Sequence, residues 1–234
     1  MALSKQFLIV GGSSGIGLET VRRLHANGSA VKVVSRTWSH GDELPTVEHV
    51  TADVTRDDLS TIEFPPSLDG LVYCPGSIAL RSFRGLKPEQ FRQDFEVNVI
   101  GAVRIIQAAL KSLRASDGAS VVLFSTVAVQ TGLPLHASVA AAKAGVEGLM
   151  RTLAAELSPS VRVNCIAPAL VNTPLASQFF GDPEKEKAMA ARYPLARTGE
   201  PSDIASMVEF LLSDGHWITG QTIGIDGGMG TIRK

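Results

Sequence analysis

A glycine-rich run, Gly11-Gly12-Ser13-Ser14-Gly15-Ile16-Gly17, joins an apolar segment to an amphipathic one near the start of the chain. Glycines at that spacing allow a tight turn and let backbone N–H groups approach an anion at the positive end of a helix. The chemistry such a turn performs is to hold a pyrophosphate. Gly11, Ser13, Ser14, Gly15, Ile16 and Gly17 are therefore the expected cradle of a nucleotide. The next apolar segment ends Val33-Val34-Ser35-Arg36. An acidic residue there would bind both ribose hydroxyls of NAD. Ser35 and Arg36 instead offer a hydroxyl and a guanidinium, which suit a 2′-phosphate. NADP(H) is expected in preference to NAD(H), the plainer alternative for Arg36 being an arginine on a solvated loop.

Groups of this kind must be carried by regular elements. Short apolar runs alternate with amphipathic stretches, the signature of βαβ units around a parallel sheet. Strands are expected at Gln6–Val10, Ala30–Ser35, Val47–Thr51, Gly70–Cys74, Ser120–Ser125, Val161–Ile166 and Thr222–Ile225. Their continuous hydrophobicity suits strands covered by helices on both faces. Helical patterns fall at Gly15–Ala26, Pro88–Leu113, Ser138–Leu157 and Pro201–Leu212, the last opening on a proline at a first-turn position. The connection Val54–Asp69 is short and carries Pro65-Pro66, so no full crossover helix is expected in it. The fold class is α/β, a single-domain Rossmann-like doubly wound parallel sheet of about seven strands over residues 1–234. The polar stretch Thr173–Arg197, bounded by Pro174 and Pro194, is the expected mobile substrate loop.

Composition narrows the function. With 234 residues, 44% of them hydrophobic, the chain can bury one substantial core. A formal net charge of −1 gives no electrostatic case for nucleic acid or for an anionic membrane surface. Cys74 and Cys165 lie in apolar runs without metal-ligand spacing and read as small buried hydrophobes in a reducing compartment. The N-terminal residues run straight into the first strand, and no apolar stretch nears the length of a spanning helix, so a cytoplasmic protein is expected. A small-molecule substrate is the remaining kind of partner.

The segment Ser125-Thr126-Val127-Ala128, followed by Ala137-Ser138-Val139-Ala140-Ala141-Ala142-Lys143, resembles the Ser…Tyr-x-x-x-Lys stretch of short-chain dehydrogenases/reductases, with Val139 where the tyrosine belongs. The glycine-rich turn, Asn98 in Val97-Asn98-Val99, the Asn164…Pro168 run and the tail Thr219-Gly220…Asp226-Gly227-Gly228 extend the resemblance over essentially the whole chain. Tyr73-Cys74-Pro75-Gly76 stands where the family has Asn-Asn-Ala-Gly, and only Gly76 matches. The resemblance implies that Asp53 and Val54 meet the adenine, while Gly76, Pro168, Val171 and Thr173 border the rest of the cofactor. It implies further that Lys143 holds the nicotinamide ribose, that Thr126 or its neighbour Ser125 holds the substrate oxygen, and that Asn98 supports a water-linked proton path. Family members commonly form dimers or tetramers, so a homodimer or homotetramer is implied as well.

Valine cannot donate a proton. Of the chain's two tyrosines, Tyr73 lies in a strand-like run and Tyr193 in the expected mobile loop, from which it could swing inward. His136, seven residues before Lys143, stands where the enoyl-thioester reductase branch of the family places its tyrosine, and histidine delivers protons near neutral pH. Its plainer reading is a polar surface residue. Three functions stay open: an NADP(H)-dependent oxidoreductase for a small carbonyl, alcohol or enoyl substrate with an atypical proton donor, a non-catalytic nucleotide-binding sensor or regulator, and a lyase or isomerase without net redox.

Overall fold

The computed structural model describes residues 4–232. The runs rich in valine, isoleucine and leucine form seven strands: β1 Gln6–Val10, β2 Ala30–Ser35, β3 Glu48–Thr51, β4 Gly70–Tyr73, β5 Ala119–Phe124, β6 Val161–Pro168 and β7 Thr222–Ile225. They pair in the order β3-β2-β1-β4-β5-β6-β7. Every pairing is parallel, with Ile9 of β1 opposite Val33 of β2 on one side and Val72 of β4 on the other. The order reverses between β1 and β4, and a crevice opens outside the carboxyl ends of strands at such a switch point.

Five strand ends differ from the sequence expectation by one or two residues, the start of β5 at Ala119 among them. Val47 stays outside β3 but is buried in the core. Cys74 still donates to Val10 O, yet Pro75 has no N–H with which to continue the ladder, so β4 ends at Tyr73. β5 ends at Phe124 rather than Ser125, while β6 runs on to Pro168 beside β7.

The helices are α1 Gly15–Ala26, α2 Pro88–Phe95, α3 Gly101–Arg114, α4 Ala128–Thr131, α5 Ala137–Leu157, α6 Pro183–Ala190 and α7 Pro201–Ser213. Alternate residues along each strand face opposite layers. Leu8 and Val10 pack with Ile105 and Ile106 of α3 and with Val146 and Met150 of α5. Phe7 and Ile9 pack with Val21 and Leu24 of α1 and with Ile204 and Val208 of α7. As expected, the connection after β3 holds no crossover helix, only a 3-10 turn at Leu59–Thr61. The stretch 173–197 carries regular structure. It contains a 3-10 turn, Pro174–Phe179, and α6, whose first N–H groups are capped by Asp182. Among the described residues no helix is long and apolar enough to cross a membrane.

The expected single helix Pro88–Leu113 is broken. Between α2 and α3 the residues Glu96–Ile100 form a π turn, in which Gly101 N–H reaches back five residues to Glu96 O. Tyr73 explains why the break sits there. Its buried hydroxyl donates to Val97 O at 2.5 Å, and a Cβ on residue 101 would lie 2.2 Å from that hydroxyl. Only glycine at 101 lets the tyrosine reach the helix. Replacing Tyr73 by Phe is expected to leave Val97 O without its donor and to lower stability by about 1–3 kcal/mol. Urea unfolding of Tyr73→Phe against wild type measures this.

Candidate active site

The glycine-rich turn leaves β1 and enters α1 with no room to spare. A Cβ on Gly17 would lie 2.3 Å from Gly11 O, which shows how closely the two backbone segments approach. Ser14, at the N-cap of α1, makes no side-chain capping bond, so the first N–H groups of the helix stay open to a ligand. His40 Nε2 lies 3.1 Å from Ser13 O and fixes the turn from outside.

Beside the turn, the end of β2 differs from the expectation in one respect. Ser35 is buried, its hydroxyl donating to Thr37 O at 2.8 Å and pairing with His49 Nε2 at 3.0 Å. That hydroxyl is already committed to the loop. Arg36 is exposed and makes no hydrogen bond or ion pair among the described residues. Trp38 stacks on His49, ring centroids 5.5 Å apart and planes 11° apart, and so forms a flat wall at the same strand ends. At the end of β3, Asp53 accepts from the hydroxyl and the N–H of Thr55, which hold its carboxyl below the usual carboxylate range. Val54 is buried and its carbonyl accepts from Arg104.

The carboxyl ends of β4, β5 and β6 border a cleft of about 540 Å³. Nine of the residues singled out from the sequence line it: Ile16, Gly76, Ser125, Thr126, His136, Lys143, Pro168, Val171 and Thr173. Val139 lines it too, 5% exposed, on the turn of α5 before Lys143. Lys143 Nζ donates to Phe124 O at 2.9 Å. Burial pulls the ammonium down to about 8, against the attraction of Cys165, Cys74 and Asp94. Asn98, on the π turn, is buried. Its Nδ2 donates to Asp94 O at 2.7 Å and to Ser77 Oγ at 3.1 Å, while its Oδ1 has no partner among the described residues. A Cβ on Gly76 would stand 3.4 Å from Asn98 Oδ1 and 3.6 Å from Lys143 Nζ, so those two groups converge on Gly76.

The two hydroxyls after β5 behave differently. Ser125 Oγ donates to Glu147 Oε1 at 2.6 Å, and both residues are buried. Thr126 Oγ1 takes only a long contact, 3.4 Å, from Ala128 N–H. Of the two, Thr126 has the less committed hydroxyl. His136 is the N-cap of α5, its Nδ1 2.7 Å from Pro134 O. Leu135 before it has φ 69°, a left-handed conformation that costs a residue with a Cβ on the order of 1 kcal/mol. Tyr193 is packed inward already, 3% exposed, and its hydroxyl accepts Leu170 N–H at 3.2 Å. Burial raises its pKa.

Sequence reasoning missed Ser77, Asp94, Glu147 and the Trp38–His49 wall. A signal existed for two of them. Asp94 precedes Asn98 by four residues and Glu147 follows Lys143 by four, the spacing that puts two side chains on one helical face.

Comparison with known proteins bears on this arrangement. A family model described as "Enoyl-(Acyl carrier protein) reductase" matches residues 10–230. L-xylulose reductase from Bos taurus is 33% identical over 236 residues, covering 96% of this chain and 96% of that protein. Human dehydrogenase/reductase SDR family member 4 is 31% identical over 245 residues, covering 96% of this chain and 87% of that protein. The solved structure of ElxO with NADP bound superposes with a TM-score of 0.88 at 25% identity, covering 97% of this chain and 99% of that one.

The buried lysine gives a pH signature. Its ammonium is pulled from the ordinary 10.5 to about 8 in the folded protein, so between those values the unfolded chain binds more protons. The contribution of Lys143 to stability is therefore full above about 10.5 and is lost as pH falls toward 8. The difference in unfolding free energy between wild type and Lys143→Met is expected to shift in favour of wild type as pH rises through that window. Denaturant titrations at stepped pH measure it, read at the lower end of the window because burial pushes the thiols of Cys74 and Cys165 up to about 12, with the opposite pH dependence.

Proposed function

Because this chain belongs to the short-chain dehydrogenase/reductase family, we propose that it is an NADP(H)-dependent oxidoreductase acting on a small apolar carbonyl, alcohol or enoyl substrate. The observation that carries this reading is the convergence of Asn98 and Lys143 on Gly76, in a cleft that also receives Thr126 and begins at the open N-terminus of α1.

The residues fit the cofactor. The Gly11–Gly17 turn and the N–H groups of α1 would hold the pyrophosphate, with the exposed, unpaired Arg36 on the 2′-phosphate and Asp53 and Val54 near the adenine. Lys143 would hold the nicotinamide ribose, while Pro168, Val171 and Thr173 border the ring. When bound, the nicotinamide supplies or accepts a hydride. Thr126 would orient the substrate oxygen, and Lys143 would place positive charge near it. Val139 contributes only an apolar wall. A positioned general acid is worth about 10²–10⁴-fold in rate, or about 3–5 kcal/mol of barrier, so the proton must come from another group. Ile78, Leu80, Leu133, Leu175 and Phe179 give the cleft apolar walls, which favour an apolar substrate over a polyol. Leu175, Phe179 and Met189 from the stretch 173–197 roof it, in keeping with a substrate lid. Phe95 of α2, 44% exposed beside Gly145 of α5, offers an apolar face on which a homodimer or homotetramer would form.

NADPH is expected to bind and to lose its reduced-nicotinamide absorbance with a carbonyl or enoyl panel. Tight binding without turnover on either panel would instead mark a nucleotide-binding regulator. Arg36→Ala is expected to weaken NADPH by about 10–150-fold, the equivalent of ~1.5–3 kcal/mol for a charge-assisted contact, and to leave NADH nearly unchanged. Isothermal titration with both nucleotides decides it.

One observation favours a second reading, enoyl reduction with His136 as the acid. His136 lines the cleft, and the contact of Nδ1 with Pro134 O leaves Nε2 without a partner among the described residues. On that reading His136→Ala lowers kcat on the enoyl panel by about 10²–10⁴-fold and removes a pH step. Equal rates for variant and wild type would return His136 to the role of a rim residue.

A further inference from the structure

The charge of the cleft has one sign. Among the described residues its walls carry two fixed cations, Lys143 and Arg192, together with His136, and neither an aspartate nor a glutamate. The bias is local, since the whole chain has a formal net charge of −1. The two cations differ in depth. Lys143 is buried with its ammonium on Phe124 O, while Arg192 is exposed and so marks the rim. Most of the remaining lining is apolar, Leu133, Leu175 and Phe179 included.

Arg192 is seated at that rim by its neighbours. Its N–H donates to Met189 O in the turn that closes α6, and Met189 lines the cleft as well. The next residue, Tyr193, is buried and takes Leu170 N–H on its hydroxyl, which pins the turn to the end of β6. Lys185 and Arg197 of the same stretch pair with Asp182 and Asp203. The guanidinium of Arg192 has no such partner among the described residues.

A guanidinium beside apolar walls, with no carboxylate of its own, is a receptor for an oxyanion, which its planar fork meets through two parallel N–H bonds. We propose that Arg192 binds an anionic group, a carboxylate or a phosphate, at the far end of an apolar substrate whose carbonyl or double bond lies at Thr126 and Lys143; this rests on the oxidoreductase reading above and names its substrate class. Charge at the far end does not change while hydride moves, so the contact is equally strong in the ground state and the transition state. It therefore lowers KM and leaves kcat nearly as it is. Arg192 is exposed and partly screened, so the expected discrimination against a neutral end is about 10–50-fold, the lower part of the range for a charge-assisted contact.

The test uses the whole protein with NADPH and pairs of compounds that differ only in the far end. One set is oxo and enoyl compounds ending in a carboxylate, each against its primary amide. The other is S-enoyl-phosphopantetheine against S-enoyl-pantetheine, which lacks the phosphate. Wild type should give a KM about 10–50-fold lower for the anionic member of a pair, with kcat within a few-fold. A preference in the first set identifies a carboxylate of the substrate itself, and one in the second a phosphate on its carrier thiol. Arg192→Ala should bring the two KM values of the pair together, Arg192→Lys should keep part of the preference, and Arg192→Glu should reverse it. NADPH titration shows that each variant is folded. Equal KM values within every pair for wild type, or a preference that Arg192→Ala leaves intact, overturn the anion site and leave the oxidoreductase reading standing. A wild type that turns over neither set brings down the oxidoreductase reading. Isothermal titration of octanoate and octanamide into NADPH-loaded wild type and Arg192→Ala then judges the anion site alone: tighter octanoate binding in wild type only supports it, and equal affinities overturn it.

Discussion

A parallel sheet covered on both faces makes each unpaired polar group in its body costly, and that constraint shapes much of the rest of this molecule. Several polar side chains within the sheet are tied to backbone, while Thr222 Oγ1 and Arg162 Nη2 are buried without a partner among the described residues. Ser120 Oγ donates to Leu211 O, and Asn164 joins Ile218 O to Gln221 N across the end of β6. Because all seven strands run in one direction, their carboxyl ends share one edge, where the helices diverge and the chain can leave polar atoms facing a cleft. Asp94 Oδ2 and Asn98 Oδ1 are two buried atoms left without partners, and both belong to the cluster behind that edge.

Within the cleft, burial decides which of two adjacent hydroxyls is available. Glu147 carries a carboxylate into the interior, where Ser125 donates to one oxygen and Gln130 lies 3.4 Å from the other. The guanidinium of Arg151, largely in solvent, stands 3.6 Å away and adds little. With its proton committed to a buried carboxyl oxygen, Ser125 offers the less available of the two hydroxyls, though both residues line the cleft. Lys143 experiences the same medium with the opposite sign, and a carbonyl at the end of β5 keeps its long side chain extended toward Gly76.

The framework of this molecule was legible because its strands are local events. Runs such as Phe7–Val10 and Val161–Ile166 declare themselves by composition alone, and their ends came out within one or two residues. The glycine-rich turn was equally plain, since the need for glycine at 17 arises between residues six apart in the chain. What escaped depends on register between distant elements. His49 takes the Ser35 hydroxyl through the pairing of β2 with β3. Tyr73 breaks the helix across 24 residues, and Ser77 meets Asp94 across 17. No periodicity in either partner encodes such meetings. They follow from how layers stack.

The π turn has one more consequence, best put as a phase. Each residue advances an α-helix by about 100°, so one extra residue in a turn slips everything before it round the axis relative to everything after it. The apolar stripe of α3 is set by its packing on the sheet. Without the slip, α2 would continue that stripe and turn Asp94 to a different azimuth. With it, the carboxyl of Asp94 meets Ser77 while α3 keeps its own seat on the core. A single deletion between 96 and 100 would leave composition and overall helicity almost untouched, yet rotate Asp94 away from Ser77. The break is a key cut into the helix, and the glycine at 101 with the tyrosine at 73 is the lock that accepts it.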